Sequence, residues 1–246
     1  MKHRSLLYFF CMFVSIQCTN FSYIDKDFVL IEGGYFQLGD TTLFAEKDEF
    51  PIDSVNVNDF YLSKYEVSQK VWNKVMKFNP SYHKGDDLPV ECVSYNDVCI
   101  FLERLNQLSG GAYRLPTEIE WEYAAKCGLY DTKIWQCHDS LGIYSWYEKN
   151  SEMKSHTIGT LSCNRLGIFD MIGNVNEWCQ DRYEGKNYYG ERIDTLEYIN
   201  QFVFRGGCFG NDEQFLRITN RNHASSDTRN FSLGFRLAKD AVTTKY

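Results

Sequence analysis

Cysteine is the residue type here with the widest choice of chemistry, because a thiolate can bind a metal, attack a substrate or form a disulfide. The chain has nine cysteines, and none of them forms a C-x-x-C pair or a spacing typical of a zinc site. Seven lie beyond the N-terminal segment, an odd number, so at least one thiol there stays unpaired by any other of these seven. These seven are Cys92, Cys99, Cys127, Cys137, Cys163, Cys179 and Cys208. Spacing alone leaves their connectivity open.

The N-terminus has the layout of an export signal. Met1 to Arg4 is basic, and Leu6 to Ile16 is an apolar run too short to span a bilayer and without the polar face of a buried helix. Residues 1–18 are therefore predicted to be a signal peptide. Cys18 stands where a bacterial lipoprotein carries its acylated cysteine, but the preceding Ser15-Ile16-Gln17 departs from the usual triplet, so lipidation stays open.

Composition favours one globular domain, predicted over residues 25–240. Proline is scarce, no low-complexity tract appears, and no further apolar run is long enough for a membrane span. The net charge of −7 argues against a nucleic-acid partner, because phosphate binding needs a basic face. Any membrane contact is expected only through a lipid anchor.

Helix signals cluster in the first half of the chain. Ser68 is a candidate N-cap for a helix through Met76, Ser94 and Asp97 form a capping box for a helix that Gly110-Gly111 stops, and Thr117 opens a shorter one through Cys127. Strands are predicted at four places: a pair around a Gly33-Gly34 turn in 28–38, then 55–62, 202–205 and 231–238. The pattern predicts a loop-rich α+β domain with two main helices and short strands.

Four segments in order carry a resemblance to one family. They are Tyr113–Ala125 (YRLPTEIEWEYAA), Gly167–Trp178 (GIFDMIGNVNEW), Phe204–Phe209 (FRGGCF) and Leu233–Ala238 (LGFRLA), and residues 28–36 and 89–94 also fit. Together they resemble the formylglycine-generating enzyme, or sulfatase-modifying factor, domain. The resemblance covers nearly the whole chain after the signal and implies a C-type-lectin-like α+β fold.

The resemblance also locates a catalytic site that this chain lacks. Family enzymes hold copper(I) with two cysteines, spaced C-x4-C just after the Gly-Gly, and oxidise a substrate cysteine. The matching positions here are Asn211 and Leu216, neither of which suits a soft metal, so copper is not expected. The alternative is a divergent formylglycine-generating oxidase in which Cys208 meets another thiol, such as Cys179, across a folded loop.

A second branch of the family consists of iron enzymes of sulfur metabolism, whose metal needs a histidine cluster. Here His83, His138, His156 and His223 are scattered, with no H-x3-H spacing. Surface or core positions explain these histidines more simply.

A calcium site is the cofactor that the resemblance does imply. The family's ligands in the G-x-x-D-M-x-G-N-x-x-E-W turn map onto Asp170, Gly173, Val175 and Glu177, which would supply two carboxylates and two backbone carbonyls. The simpler interpretation is that Asp170 and Asn174 build a turn and that Glu177 pairs with a nearby base.

The segment after the Gly-Gly resembles the ligand-facing end of lectin-like family members that bind partners. Its candidate ligand-binding residues are Phe209, Asn211, Asp212, Arg217, Arg221 and Asn230. Arg217 and Arg221 are equally well explained as internal hydrogen-bonding braces. The sequence thus predicts an exported, non-catalytic protein of the periplasm, outer membrane or cell surface that binds a protein or carbohydrate ligand.

Overall fold

The structure is a computed structural model that describes residues 21–50, 52–126, 141–188, 190–193 and 197–241. The predicted signal peptide with Cys18 lies outside the described residues, as do Cys127, Cys137 and His138. Among the residues described, no helix is both long and apolar enough to cross a membrane.

The element order confirms the α+β class. The five α-helices of the described chain are α1 Ser22–Asp25, α2 Gln69–Met76, α3 Tyr95–Ser109, α4 Glu118–Ala125 and α5 Leu141–Tyr144. The strands are β1 Phe28–Ile31, β2 Gly34–Leu38, β3 Asp53–Val57, β4 Phe60–Glu66, β5 Asn176–Arg182, β6 Gln201–Arg205, β7 Asn222–Ser225, β8 Leu233–Gly234 and β9 Arg236–Asp240. Two short 3-10 helices, Lys47–Glu49 and Glu213–Leu216, lie in loops.

The three longest helices begin at the predicted caps. Ser68 Oγ accepts the Val71 N–H at the start of α2. Ser94 opens α3 with a complete capping box, and Thr117 opens α4 with another. Gly110 ends α3 in the left-handed conformation, with φ 69°, which glycine adopts without steric cost.

The strands form three separate sheets, and the predicted pairing around Gly33-Gly34 is wrong. The sheet orders are β1-β4-β9, β2-β3 and β7-β6-β5-β8, so β1 and β2 pair with strands later in the chain rather than with each other. Glycine is needed at position 33, where the chain passes close to the end of β3, because a Cβ there would lie 2.2 Å from the Val57 carbonyl oxygen. The predicted strands 55–62 and 231–238 are each two strands.

Aromatic side chains hold two buried clusters together. Trp121 lies in one, which packs α4 against β2, β4, β5 and β6, and Trp72 and Trp178 lie in the other, between α2, α3 and β9. Trp178 Nε1 also donates to the Val93 carbonyl at 3.0 Å, so its polar atom is satisfied. These anchors fix the long loops that carry the candidate site.

The two ends of the described chain meet at one pole of the domain. Phe21, which precedes α1, and Ala241, which follows β9, both line a cavity of about 480 Å³. In the same place, the amine of Lys239 in β9 binds Asp25 of α1 at 2.7 Å.

Candidate functional site

Asn211 and Leu216, at the positions where the family carries its thiols, build the loop instead. Asn211 Oδ1 accepts the Cys208 N–H at 2.9 Å, and its own N–H donates to the Cys208 carbonyl at 3.0 Å. Leu216 is fully buried, and a Cβ at Gly207 would lie 2.7 Å from its Cδ2. One position therefore closes a turn and the other fills the core.

The two thiols of the alternative oxidase site are both buried. Cys208 is buried beside Asn176 and Ser232, and burial raises the pKa of its thiol. Cys179 lies on β5, in the buried cluster that also contains Trp121. Burial raises the pKa of Cys179 well above its usual value as well, so both sulfurs are held as neutral thiols.

Arg217 and Arg221 are internal braces rather than part of a ligand-facing surface. Arg217 is buried and binds Glu49 at 2.6 Å. Arg221 makes a two-point contact with Glu118, at 2.6 and 2.9 Å. Of the two interpretations of these arginines, the structure favours the brace.

Arg205 of β6 extends this bracing into the interior. Its guanidinium is fully buried, binds Glu122 and Glu118 of α4, and donates to the carbonyls of Ile218 and Thr219. Glu122 also binds Lys126 at 2.7 Å. We call Arg205, Glu118, Glu122, Lys126 and Arg221 the ionic core.

The remaining predicted ligand residues lie in two loops that follow Cys208 in the chain. Phe209 follows Cys208 directly and is almost fully buried. Asp212 caps the 3-10 helix Glu213–Leu216 through the Gln214 N–H. Asn230 Oδ1 accepts both the N–H and the hydroxyl of Ser232, which in turn contacts the thiol of Cys208.

Four aromatic rings pack in a closed circuit next to this loop. The ring of Tyr82 contacts those of His83 (5.1 Å) and Phe231 (6.1 Å), and Phe209 contacts the same two at 5.4 and 5.9 Å. Tyr82 is 74% exposed and Phe231 50% exposed, so one side of this group of rings faces solvent. We call Tyr82, His83, Phe209 and Phe231 the aromatic face.

A buried carboxylate lies behind the aromatic face. Glu91 is fully buried, and its Oε1 accepts the backbone N–H of His83 at 2.7 Å. The thiol of Cys92 lies against this carboxylate, and burial, followed by the contact with Glu91, raises the pKa of Cys92 to about 11. Apart from Phe209, sequence reasoning missed these residues. The signal available to it was an acidic residue inside the apolar run 88–93.

The predicted calcium ligands Asp170, Gly173, Val175 and Glu177 lie in the turn that leads into β5. Asp170 Oδ2 accepts the Gly159 N–H at 2.7 Å, whereas its buried Oδ1 has no partner in the described part of the chain. Burial raises the pKa of Asp170 to about 6. A buried carboxylate oxygen without a donor is a suitable ligand for a hard cation.

Glu177 fits a cation less well. Arg236 binds its two oxygens at 2.6 Å each, and Trp121 Nε1 donates to Oε2 at 2.8 Å. Among the described residues, no group of three His, Cys, Asp or Glu side chains is arranged to hold a metal. A calcium ion in this turn would therefore depend on Asp170 and backbone carbonyls, while Glu177 stays with Arg236.

Comparison with known proteins identifies the family to which this fold and loop belong. The sequence model of the sulfatase-modifying factor enzyme 1-like domain matches residues 22–241. The chain belongs to this family, in agreement with the resemblance that its motifs carry.

Two relatives and one solved structure show what the chain is similar to. The chain is 31% identical to the chaperone protein LppX of Paenibacillus barcinonensis over 63% of its own length and 71% of that protein. It is 27% identical to the serine/threonine-protein kinase pkn1 of Chlamydia pneumoniae, over 87% of this chain but only 38% of the kinase. The structure of Treponema denticola variable protein 1 superposes with a TM-score of 0.77 at 24% identity, over 87% of this chain and 95% of that one, which shows a shared fold.

Proposed function

We propose that this protein is a non-catalytic member of its family that binds a partner at the cell envelope through the aromatic face and the loops around it. One observation carries the proposal: the family's thiol positions hold Asn211, which closes a turn, and Leu216, which is in the core. A two-thiolate copper site needs both positions. Exposed rings on a rigid frame suit recognition instead.

The partner is proposed to be a protein rather than a carbohydrate. A relative named as a chaperone supports a protein partner, because a chaperone acts on other polypeptides. The exposed rings of Tyr82 and Phe231 are the kind of aromatic anchors that protein interfaces use.

The decisive experiment offers a sulfatase-type cysteine peptide with copper(I) and oxygen to the purified protein. We expect no conversion to formylglycine. The competing function, a divergent oxidase, uses Cys208, which is buried next to the aromatic face. Turnover that Cys208→Ser abolishes would establish that oxidase and overturn the non-catalytic proposal, and a Cys92→Ser variant would show whether the other nearby thiol takes part.

Export is proposed from the N-terminal sequence alone. The basic residues and the apolar run predict cleavage, with Cys18 as a candidate first mature residue. Mass spectrometry of the mature N-terminus tests this: an intact Met1 in cytosolic fractions contradicts export, and cleavage without added acyl mass contradicts lipidation only.

We also propose that calcium binds at the turn of Asp170. The unpartnered Oδ1 supports this proposal, and hard oxygen donors at close spacing are those that calcium prefers. Its role would be structural, because the turn leads directly into the central strand β5.

A further inference from the structure

Glu91 is a buried charge whose local partners leave it unbalanced. One oxygen accepts the backbone N–H of His83, and the weak donor of the Cys92 thiol lies against the carboxylate, but no N–H or O–H of the described residues donates to Oε2. The basic side chain that approaches the carboxylate is His83, with Nδ1 3.8 Å from Oε1, and that nitrogen is itself buried without a partner. A buried carboxylate normally has a strong cationic partner or several donors.

Two other buried carboxylates of this protein have such a partner, whereas Glu66 and Asp170 have no lysine or arginine among the described residues within salt-bridge distance. Glu122 binds both Lys126 and an arginine, and Glu49 binds Arg217 at 2.6 Å. No lysine or arginine of the described residues comes within salt-bridge distance of Glu91 in this way. Within the described residues, His83 is therefore the one basic side chain within salt-bridge distance of Glu91.

The aromatic face lies between this carboxylate and solvent. His83 contacts Glu91 on one side and the rings of Tyr82 and Phe209 on the other. The faces of aromatic rings are electrostatically negative and attract an ammonium group, more strongly where water is excluded. Rings and carboxylate thus favour the same charge.

The neighbouring thiol does not supply a competing chemistry. Cys92 lies between the backbone of Tyr82 and the carboxylate of Glu91, and its raised pKa keeps the sulfur protonated at neutral pH. Its backbone has a φ of 59°, an uncommon conformation for a residue other than glycine, and fixes it in that place. The group is arranged for binding rather than for nucleophilic attack.

We propose that the aromatic face binds a primary ammonium group, specifically a lysine side chain of a partner protein. This inference rests on the proposed binding function and names the chemistry of the ligand. The apolar stem of lysine packs along the exposed rings of Tyr82 and Phe231, and its charge lies in the field of Glu91. A carbohydrate offers the rings a surface but offers the carboxylate no charge.

The test is an NMR titration of the isotope-labelled protein with N-acetyl-lysine amide. We expect saturable shifts of Tyr82, His83 and Phe231 resonances. N-acetyl-norleucine amide has a similar stem without the charge, and we expect it to bind about tenfold more weakly. Choline, the third probe, distinguishes a lipid-type quaternary ammonium from a lysine, and tighter binding of choline would overturn the lysine assignment.

Three variants separate binding from folding. Glu91→Gln keeps the acceptor for the His83 N–H and should weaken lysine-amide binding about tenfold, while Tyr82→Ala should weaken it about fivefold. Tyr35→Ala removes an equally exposed tyrosine from β2 and should leave binding unchanged. Thermal melts identify any variant that fails to fold, and Tyr82 is exposed enough to remain informative if Glu91→Gln does not fold.

Equal binding of the lysine and norleucine amides would overturn the inference, as would the absence of saturable binding or unchanged affinity in both site variants. None of these results touches the non-catalytic proposal, which fails only if the protein converts the sulfatase-type peptide. The two claims can therefore fail separately.

Discussion

The ionic core and the aromatic face treat buried charge in opposite ways. In the ionic core, Arg205 binds Glu118 and Glu122 and donates to two backbone carbonyls, so each charge has an internal counter-charge, although the Arg205 Nε has no acceptor among the described residues. Behind the aromatic face, Glu91 keeps an oxygen without a donor among the described residues. The ion pairs of the ionic core tie together β6, α4 and the loop of Arg221, whereas the carboxylate of Glu91 has no such strong cation among the described residues.

Removing Arg205 should have the largest effect on stability. Arg205→Met leaves two buried carboxylates with one fewer cation, and we expect the free energy of unfolding to fall by about 3 kcal/mol. Urea denaturation measures this. The matched control is Arg229→Ala, whose exposed pair with Asp97 should be worth less than about 1 kcal/mol. Equal losses in the two variants would contradict the distinction between interior and surface charges.

Calcium should produce the next largest effect, because binding to the native state alone stabilises it by mass action. At a calcium concentration about 100 times the Kd, the gain is about 2.7 kcal/mol. Differential scanning calorimetry with calcium and with a chelator measures it, and Asp170→Asn should abolish the gain. Melting curves that calcium and chelator leave unchanged would remove the calcium proposal.

Asp181, beside the ionic core, should make stability depend on pH. Burial raises its pKa to about 6 from an ordinary value near 3.8, so the folded state prefers the protonated carboxyl. Stability is therefore lost as pH rises from about 4 through 6, since ionisation then costs more in the folded protein. Asp181→Asn cannot ionise and should gain about 2 kcal/mol over the parent at pH 8 relative to pH 4. An advantage that is the same at both pH values would contradict this account.

Tyr82→Ala should have the smallest effect on stability. The side chain is largely exposed, so we expect the free energy of unfolding to change by less than about 0.5 kcal/mol. Phe209→Ala, in the buried part of the same ring circuit, should cost about 3 kcal/mol. Chemical denaturation of the pair sharpens the comparison, because a large loss for Tyr82→Ala would make the aromatic face a structural element.

Local signals in the sequence predicted the helices well. Ser68, Ser94 and Thr117 each carry their capping interaction within three residues, so the information lies in the segment itself. Strand pairing was harder. The partner of β1 is β4 rather than the adjacent β2, and no local pattern specifies such a distant choice.

The candidate site depends on contacts that are distant in sequence. Tyr82 and Phe231 are far apart in the sequence, and only the folded protein brings their rings together. Arginine is usually a surface residue, but Arg217 and Arg221 are buried in ion pairs with Glu49 and Glu118. The family motifs, taken in their order along the chain, were sufficient to predict the fold. The proposed binding chemistry depends on residues that only the folded structure brings together.

The two ends of the described chain lie close together, so this domain can be inserted into a longer polypeptide. Phe21 and Ala241 line the same cavity, so a longer polypeptide can enter and leave the fold at nearly one point without crossing its loops. A chlamydial kinase in which the matching region is 38% of the length fits such use. The same arrangement lets the loops of the domain change without altering the architecture of a longer chain that contains it.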